Sequence, residues 1–341
     1  MKIGILTGGG DCPGLNSVIR ALVRKAVVSG HEVIGLRYGW KGLLDKDTIP
    51  LDAKSVSGIL PKGGTILGTS RTNPSKTDGG EKKAIANFKE LGLDALTVVG
   101  GEDTLGVATK LYEQGLKIVG VPKTIDNDLS ATDFTFGFDT AVNIVTECID
   151  RLHTTAESHN RIMIVEVMGR HAGWIAAYSG IAGGADYILI PEIPVDINEV
   201  CESLKKRHKR GKNFSIVVVS EGAFFKNENL ALQEKKLDEF GHVRLGGIGR
   251  TLGKMIEDMT GYETRVTVLG HIQRGGSPSA FDRVLGTRFG VKAYELIESG
   301  KFGRMTSLKG NQIIDVPLSE ATSELKTLDL GLYEIAKIFF G

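Results

Sequence analysis

Residues 2–27 have the sequence KIGILT GGGDCPG LNSVIRALVRKAV, and the order of these pieces predicts the architecture of the chain. The apolar run Lys2–Thr7 has the length and character of a buried strand. The glycine-rich segment Gly8–Gly14 follows at once. Apolar residues then recur at positions 15, 18, 19, 22, 23, 26 and 27, which is the spacing of one helix face. A strand, a tight loop and an amphipathic helix in this order are typical of a parallel α/β sheet.

The same alternation of apolar strands and helices continues along the chain. Further strands are expected at His31–Leu36, Ala95–Val99, Lys117–Val121, Ile162–Val167, Tyr187–Ile190, Ser215–Ser220 and Arg265–Leu269. The polar segment 224–243 is expected to be a loop outside the core. We therefore predict an α/β fold with two doubly wound, mostly parallel lobes and the active site in the cleft between them. Ligands of such sheets bind beyond the carboxyl ends of the strands, so the residues that follow each strand are the functional candidates.

The composition indicates a globular protein with no general affinity for nucleic acid or membranes. The 341 residues include 42 Lys and Arg against 41 Asp and Glu, a net charge of +1, so any bound anion must be held by local charge. The N-terminus does not resemble a signal peptide, and no apolar run has the length of a membrane span. The scattered Cys12, Cys148 and Cys201 offer neither a disulfide framework nor a zinc site. We expect a reduced, cytoplasmic protein.

Two of the expected strands are followed by acidic loops that suit phosphate chemistry. Residues Pro122–Asp128 read PKTIDND. There Asp126 and Asp128 supply one carboxylate for taking a proton and another for holding Mg²⁺, although Asp-Asn-Asp also occurs in ordinary turns. Residues Gly100–Thr104 read GGEDT, which combines close backbone approach, carboxylates and a helix start, with an acidic helix cap as the alternative. The Gly8–Asn16 loop matches neither the P-loop nor the dinucleotide-binding pattern.

Basic side chains lie at the strand ends of the second half. His271 and Arg274 belong to the sequence HIQRGG, and Arg265 begins the strand before it. Arg161 and Arg170 lie on the two sides of the Ile162–Val167 strand. Each arginine taken alone is more often a solvated surface residue. Together they indicate a phosphorylated substrate, because the guanidinium fork matches phosphate oxygens.

These motifs, in this order and spacing, resemble the 6-phosphofructokinase family. The resemblance is carried by GGEDT at 100–104, PKTIDND at 122–128, MGR at 168–170, SEG at 220–222 and LGHIQRGG at 269–276, and it runs from Lys2 to about Ala293. The segment Leu245–Gly249 resembles the mixed-substrate subgroup, whose members use ATP or pyrophosphate. The resemblance implies a phosphofructokinase-like fold. Its phosphoryl-donor-binding lobe would be 1–137 with about 250–305, and its sugar-phosphate-binding lobe about 138–249 with 306–341.

The resemblance also implies roles for individual residues. Asp126 matches the base that takes the proton of the sugar 1-hydroxyl, and the implied catalytic set is Asp126, Lys123, Asp103, Thr124 and Arg170. The implied ligands of Mg²⁺ are Glu102 and Asp128. The donor phosphates are expected at Gly10, Arg71, Asp103 and Lys123. Fructose 6-phosphate is expected at Thr124, Asp126, Arg161, Met168, Gly169, Arg170, Glu221, Arg265, His271 and Arg274. Arg161 and Arg265 match arginines that reach a neighbouring subunit's pocket, which implies a homodimer or homotetramer.

Two positions favour pyrophosphate over ATP as the phosphoryl donor. ATP-using relatives generally carry glycine after the metal-binding acid, and many carry glycine after the proline of the catalytic loop, where this chain has Asp103 and Lys123. A carboxylate at 103 would repel the α-phosphate of ATP. Lys123 adds an ammonium that can neutralise pyrophosphate. We therefore expect reversible, pyrophosphate-dependent phosphorylation of fructose 6-phosphate to fructose 1,6-bisphosphate, a reaction of glycolysis and gluconeogenesis.

Three alternatives stand beside this expectation. An ATP-dependent 6-phosphofructokinase would differ in its donor alone. An inactive sugar-phosphate sensor would keep the pocket, but it would have no need of a base at Asp126 beside a metal site. An NAD or lipid kinase shares only the GGEDT element and leaves the motif with His271 and Arg274 unexplained.

Overall fold

The computed structural model describes residues 1–226 and 247–341, and these divide into two compact units. Unit 1 consists of Met1–Thr140 and Arg274–Leu325. Unit 2 consists of Ala141–Gln273 and Lys326–Gly341. Each unit contains a β-sheet with flanking helices, so the prediction of a mostly parallel α/β fold is confirmed.

Strands and helices alternate through most of the described chain. The described strands are β1 (Lys2–Thr7), β2 (Glu32–Leu36), β3 (Thr48–Leu51), β4 (Ala95–Gly100), β5 (Ile118–Thr124), β6 (Phe136–Gly137), β7 (Ile162–Val167), β8 (Tyr187–Leu189), β9 (Ser215–Ser220), β10 (Thr264–Val268), β11 (Arg304–Lys309) and β12 (Gln312–Pro317). The described α-helices are α1 (Leu15–Val28), α2 (Trp40–Asp45), α3 (Gly80–Glu90), α4 (Glu102–Glu113), α5 (Phe138–His159), α6 (Trp174–Ala182), α7 (Ile197–Lys209), α8 (Ile248–Thr260), α9 (Ala280–Glu298) and α10 (Leu330–Lys337).

The sheet of unit 1 is parallel at its centre and antiparallel at its edges. Its strand order is β12-β11-β5-β4-β1-β2-β3, with the short β6 paired to β5. The edge strands β12 and β3 run antiparallel to their neighbours, and the strands between them are parallel. Because the parallel strands end at one edge, Gly8, Gly101 and Ile125, which follow β1, β4 and β5, lie along that edge.

The sheet of unit 2 is entirely parallel, in the order β10-β7-β9-β8. Every residue of β7 and β9 is buried, as is typical of parallel strands covered on both faces. Ile164 and Val217 of this sheet pack with Leu252 and Ile256 of α8. Met168, Glu221 and Leu269 follow β7, β9 and β10, so they lie at the carboxyl-terminal edge of the sheet.

The unit boundaries differ from those expected from the sequence. Residues 250–273 belong to unit 2, because β10 pairs with β7 of its sheet. Residues 306–325 belong to unit 1, because β11 pairs with β5 and carries β12 with it.

The polar segment 224–243 lies mostly outside the described residues, as do Leu245 and Gly246 of the subgroup motif. Its first residues depart from the expected loop. Phe225 is buried in the core of unit 2 and forms a parallel bridge with Val195. Across the described residues, no helix is both long and apolar enough to cross a membrane.

Candidate active site

The glycine-rich loop after β1 brings the segment that carries Arg71 to the carboxyl-terminal edge of the sheet. Gly9 has a φ of +78°, a left-handed conformation that side chains disfavour. The amide of Gly9 donates to the carbonyl of Ser70 at 3.3 Å, and the Thr69 hydroxyl donates to the carbonyl of Gly9 at 2.5 Å. Arg71 follows directly and is exposed. The prediction that Gly10 and Arg71 lie in one region therefore has a main-chain basis.

Lys123 brings a nearly buried ammonium to the same loop. Lys123 is the residue before the last one of β5 and is 5 % exposed, and its Nζ donates a 2.6 Å hydrogen bond to the carbonyl of Gly10. Burial lowers the pKa of Lys123 below its ordinary value. The positive charge of Arg274 adds to this shift, and the negative charges of Asp11 and Asp128 oppose it. An anion bound at the loop would favour the charged ammonium for the same reason.

The Arg274 guanidinium donates to both the main chain and the side chain of Asp11. Nε donates to the Asp11 carbonyl and Nη2 donates to Oδ1, each at 3.1 Å. A Cβ atom on Gly10 would lie 2.1 Å from Nη2 of Arg274, so the guanidinium occupies the space that any other residue at position 10 would fill. Arg274 was expected among the sugar-phosphate residues. In the structure it belongs to unit 1 and packs on the glycine-rich loop.

Glu102 and Asp103 form the first turn of α4, directly after β4. The turn into this helix depends on glycine, because a Cβ atom on Gly100 would lie 2.4 Å from the Cβ of Thr104. Both carboxylates are exposed. A Cβ atom on Gly101 would lie 3.4 Å from the carbonyl oxygen of Lys123, so the ends of β4 and β5 are close together.

The loop after β5 is held by a buried asparagine that sequence reasoning missed. Asn127 has a φ of +53°, is fully buried, and accepts a 3.1 Å hydrogen bond from the amide of Thr135 at its Oδ1. The Thr135 hydroxyl donates to the carbonyl of Thr124 at 2.7 Å, and the amide of Asp126 donates to the Thr124 hydroxyl at 3.1 Å. Asp126 and Asp128 are half-buried on either side of Asn127. The one sequence feature that could have drawn attention to Asn127 is its position between Asp126 and Asp128.

In unit 2, the turn after β7 packs on the turn after β9. The Ser220 hydroxyl donates to the carbonyl of Gly169 at 2.6 Å, and the amide of Gly222 donates to the same carbonyl at 3.1 Å. A Cβ atom on Gly222 would lie 1.9 Å from the carbonyl oxygen of Arg170, so the packing requires glycine there. Arg170 and Glu221 are both half-buried in these turns. The structure thus joins two motifs that the sequence separates by fifty residues.

Gln273 connects the turn after β10 to this cluster. It is fully buried, its Oε1 accepts from the amide of Met168 at 3.2 Å, and its Nε2 donates to the carbonyl of Gly270 at 3.0 Å. His271 is exposed on the same turn. Sequence reasoning named the residues around Gln273 and passed over the amide that fixes their turn.

Arg161 and Arg265 lie at the other edge of this sheet. Arg161 precedes β7 and Met168 follows it, and the six residues of that strand extend about 20 Å. Both arginines pair with the carboxylate of Glu263, Arg161 at 2.9 Å. The hydrogen bond from Arg161 holds the pKa of Glu263 below its usual range. Within one chain the two arginines share Glu263, at the opposite end of β7 from the turn that contains Met168.

The described ranges contain no group of three or more His, Cys, Asp or Glu side chains that could hold a metal ion. Glu102 and Asp128 nevertheless supply carboxylate oxygens from two neighbouring strand ends. Mg²⁺ usually takes one or two protein carboxylates and completes its coordination with water and substrate phosphate oxygens. This sparse set of hard donors fits that ion.

Comparisons with known proteins cover the whole chain. The family model described as Phosphofructokinase matches residues 2–297. A protein of Streptomyces coelicolor named pyrophosphate–fructose 6-phosphate 1-phosphotransferase is 59 % identical over 100 % of both chains. Another from that organism, named ATP-dependent 6-phosphofructokinase 3, is 53 % identical over 99 % of each. A solved phosphofructokinase of Saccharomyces cerevisiae superimposes with a TM-score of 0.81 at 33 % identity, over 99 % of this chain and 46 % of the yeast chain. This chain spans about half the length of that yeast protein.

Proposed function

Because this chain belongs to the phosphofructokinase family, we propose that it phosphorylates fructose 6-phosphate with pyrophosphate as the donor. The chain is a phosphotransferase, as its family membership and relatives establish. The phosphoryl donor, the metal and the residues that perform the transfer are proposed. Its products are fructose 1,6-bisphosphate and phosphate, and the reaction is reversible.

The observation that carries the proposal is the Lys123 ammonium at the carbonyl of Gly10. Pyrophosphate has no nucleoside by which an enzyme could hold it, so its binding energy must come from charge and hydrogen bonds. Lys123 and Arg274 both meet Gly10, and the segment of Arg71 is bonded to Gly9. A highly charged anion at this loop compensates for burying Lys123, which supports pyrophosphate as the ligand.

Asp103 supports the same donor by disfavouring ATP. It lies in the first turn of α4, next to Glu102, at the strand end adjacent to β5. An α-phosphate that extended past this turn would meet a carboxylate of like charge. A donor that ends at its second phosphorus avoids this repulsion.

Transfer requires a base for the sugar hydroxyl and a pocket for the sugar phosphate. Asp126 is half-buried after β5, next to Thr124, and we assign it the proton of the 1-hydroxyl. The oxygen then attacks the phosphorus in line, and the work of the surrounding residues is to hold both groups in place and to stabilise charge. The pocket is assigned to the packed turns of unit 2, with Arg170, Glu221 and His271 as its polar groups.

Mg²⁺ is assigned to Glu102 and Asp128, where it would neutralise the charge of the phosphates. Lys123 and Arg71 share that task from the protein side. Glu102 is exposed and Asp128 is half-buried, which suits a metal that keeps several water ligands.

The protein is inferred to act as a homodimer or homotetramer. Arg161 and Arg265 lie about 20 Å from the turn of Met168 within one chain, by the length of β7. In the proposed assembly these two arginines bind the sugar phosphate of a neighbouring subunit. Their pairing with Glu263 keeps them together in the single chain.

The test is to measure fructose 1,6-bisphosphate formation with Mg²⁺ and either pyrophosphate or ATP, for the wild type and for Asp103→Gly. We expect turnover with pyrophosphate, little with ATP, and a gain of ATP use in Asp103→Gly, because the like charge is removed. Asp94→Gly is the matched control, since Asp94 caps the other end of β4 at the Lys2 amide. Wild-type turnover with ATP alone would contradict the donor assignment. Activity with neither donor would favour a sugar-phosphate sensor.

ATP is the second candidate donor. The S. coelicolor relative named as ATP-dependent is 53 % identical, only six percentage points below the one named for pyrophosphate. Overall similarity therefore does not separate the two donors, and the decision rests on Asp103 and Lys123.

A further inference from the structure

A partly buried ion pair joins the first loop of the chain to a residue 263 positions away. Asp11 is the one residue with an ionised side chain in the segment GGGDCPG. Its side chain is 45 % exposed, whereas that of Arg274 is only 15 % exposed. The arginine is therefore the more confined partner, and Asp11 supplies two acceptors to it, the carbonyl and Oδ1.

The main chain around Arg274 is fixed independently of Asp11. A Cβ atom on Gly63 would lie 2.1 Å from the carbonyl oxygen of Gly276, so Gly276, two residues after Arg274, packs tightly on the loop that contains Gly63. That loop is bonded to α1 through Asn16, whose Nδ2 donates to the carbonyl of Lys62 at 3.0 Å. What Asp11 controls is therefore the direction of the guanidinium and not the course of the chain.

Charge gives Asp11 a second task. Lys123 donates to the carbonyl of Gly10, and the guanidinium of Arg274 lies against the same residue, so two cations share one small region. The two positive charges repel each other, and their burial strengthens the repulsion. Asp11 bonds directly to one cation and its negative charge favours the protonated form of the other. Without that carboxylate, the Arg274 guanidinium would be repelled by Lys123 and would turn toward solvent.

We infer that Asp11 is a positioning residue, which holds the Arg274 guanidinium against Gly10 in the orientation that binds fructose 6-phosphate. This inference rests on the proposed function and on the sugar-phosphate role that the resemblance to the family implies for Arg274. Because Gly10 is also a proposed donor contact, the pair ties an arginine of the acceptor site to the loop of the donor site.

The test compares Asp11→Asn with wild type, by calorimetric titration of fructose 6-phosphate without any donor and by steady-state kinetics. Asparagine keeps the shape and the Oδ1 acceptor but removes the charge, which provides about half the strength of such a bond. We expect the Kd and KM for fructose 6-phosphate to rise about tenfold and kcat to change less than about threefold, since the chemistry itself does not use Asp11.

The matched control is Asp315→Asn. Arg304 likewise binds both the carboxylate and the carbonyl of one aspartate, Asp315, with the two nitrogens exchanged: Nε donates to the carboxylate and Nη2 to the carbonyl, both at 2.9 Å. Asp315 lies on the edge strand β12 and has no proposed contact with substrate. Its substitution should leave the affinity for fructose 6-phosphate unchanged, so the control separates the loss of an ion pair from the loss of positioning.

A double-mutant cycle tests whether Asp11 acts through Arg274. Arg274→Gln alone should weaken fructose 6-phosphate binding, and adding Asp11→Asn should then change the affinity by less than about twofold. Additive effects, or an unchanged Kd in Asp11→Asn, would overturn the inference. Should Asp11→Asn fail to fold, Asp11→Glu keeps the charge but displaces it, and a raised KM is again expected. Wild-type protein that binds no fructose 6-phosphate would instead overturn the proposed function, and the inference with it.

Discussion

Lys123 carries a charge in a place that is nearly closed to water, and this governs when it can bind an anion. Burial lowers the pKa of Lys123, so the ammonium loses its proton at a lower pH than an ordinary lysine does. Affinity for pyrophosphate that depends on this ammonium must therefore decline as the pH rises. We expect this loss of affinity at high pH for pyrophosphate and not for fructose 6-phosphate.

The corresponding variant is Lys123→Met, which keeps the length of the side chain. A hydrogen bond to a charged group contributes about 1.5–3 kcal/mol, so the KM for pyrophosphate should rise about 10- to 100-fold at pH 7. Wild type and variant are compared from pH 7 to 10 in the same buffers, so that the ionisation of pyrophosphate itself cancels. The KM of the variant divided by the KM of the wild type should fall as the pH rises, because the wild type loses its ammonium. A ratio independent of pH would show that the Lys123 ammonium does not bind the donor.

Cys12 lies in the same loop and should be chemically inert. Burial raises the pKa of the Cys12 thiol to about 12, and Sγ lies 3.7 Å from the carbonyl oxygen of Phe136. Only the thiolate reacts with alkylating reagents, and it is scarce at pH 8. Mass spectrometry after N-ethylmaleimide treatment should find the half-buried Cys148 modified in the native protein and Cys12 modified only after denaturation. Equal rates at the two positions would contradict this expectation.

At the scale of the elements, the turn after β9 is built on a glycine that cannot be replaced. The Cβ atom of Gly222→Ala would lie 1.9 Å from the carbonyl oxygen of Arg170, which is main chain and cannot rotate away. We expect a loss of about 1–3 kcal/mol in the free energy of unfolding and a raised KM for fructose 6-phosphate.

Gly106→Ala in α4 is the control for Gly222→Ala. No atom lies within 4 Å of the position of its Cβ, and alanine in a helix interior is favoured over glycine by about 0.5–1 kcal/mol. Denaturant titrations should therefore move in opposite directions for the two variants. A Gly222→Ala protein as stable as wild type and with an unchanged KM would mean that the two turns do not need this close contact.

The elements also explain which parts of the fold the sequence could predict. The strands β1, β4, β7 and β9 are short apolar runs because both of their faces are buried, and their pattern is visible without a structure. The edge strands β3 and β12 were missed because they are only half-buried and their residues do not form apolar runs. The unit boundaries were displaced for a related reason, since β11 and β12 return to the first sheet after a long excursion of the chain.

For the candidate site, the sequence predicted the residues that stand in dense polar motifs and missed their supports. Asp126 and Glu102 could be named because they belong to dense polar motifs that follow buried strands and match motifs of the family. Asn127 and Gln273 could not, since a neutral amide gives no sign that it is buried and binds main chain. The bond of Arg274 to Asp11 spans 263 positions and follows from no local spacing rule.

At the scale of the whole molecule, a net charge of +1 leaves the binding of phosphates to local clusters. Among the described residues, one cluster of basic side chains lies on the glycine-rich loop and another lies at Glu263. The second cluster is about 20 Å along β7 from the turn of Met168. If it has a role in catalysis, that role must be exercised on another subunit.

Mixing two inactive variants tests whether Arg161 and Arg265 act at the active site of a neighbouring subunit. One variant is Asp126→Asn, which lacks the proposed base, and the other combines Arg161→Ala with Arg265→Ala. In a symmetric oligomer each hybrid contains one site with an intact base and intact arginines from its neighbour, so an equimolar mixture should recover about a quarter of wild-type activity. Asp126→Asn mixed with Lys123→Met is the control, because both lesions fall in the same chain's part of the site, and its activity should not exceed the mean of the two variants measured separately. Recovery in neither mixture would mean that the arginines act within their own chain or not at all.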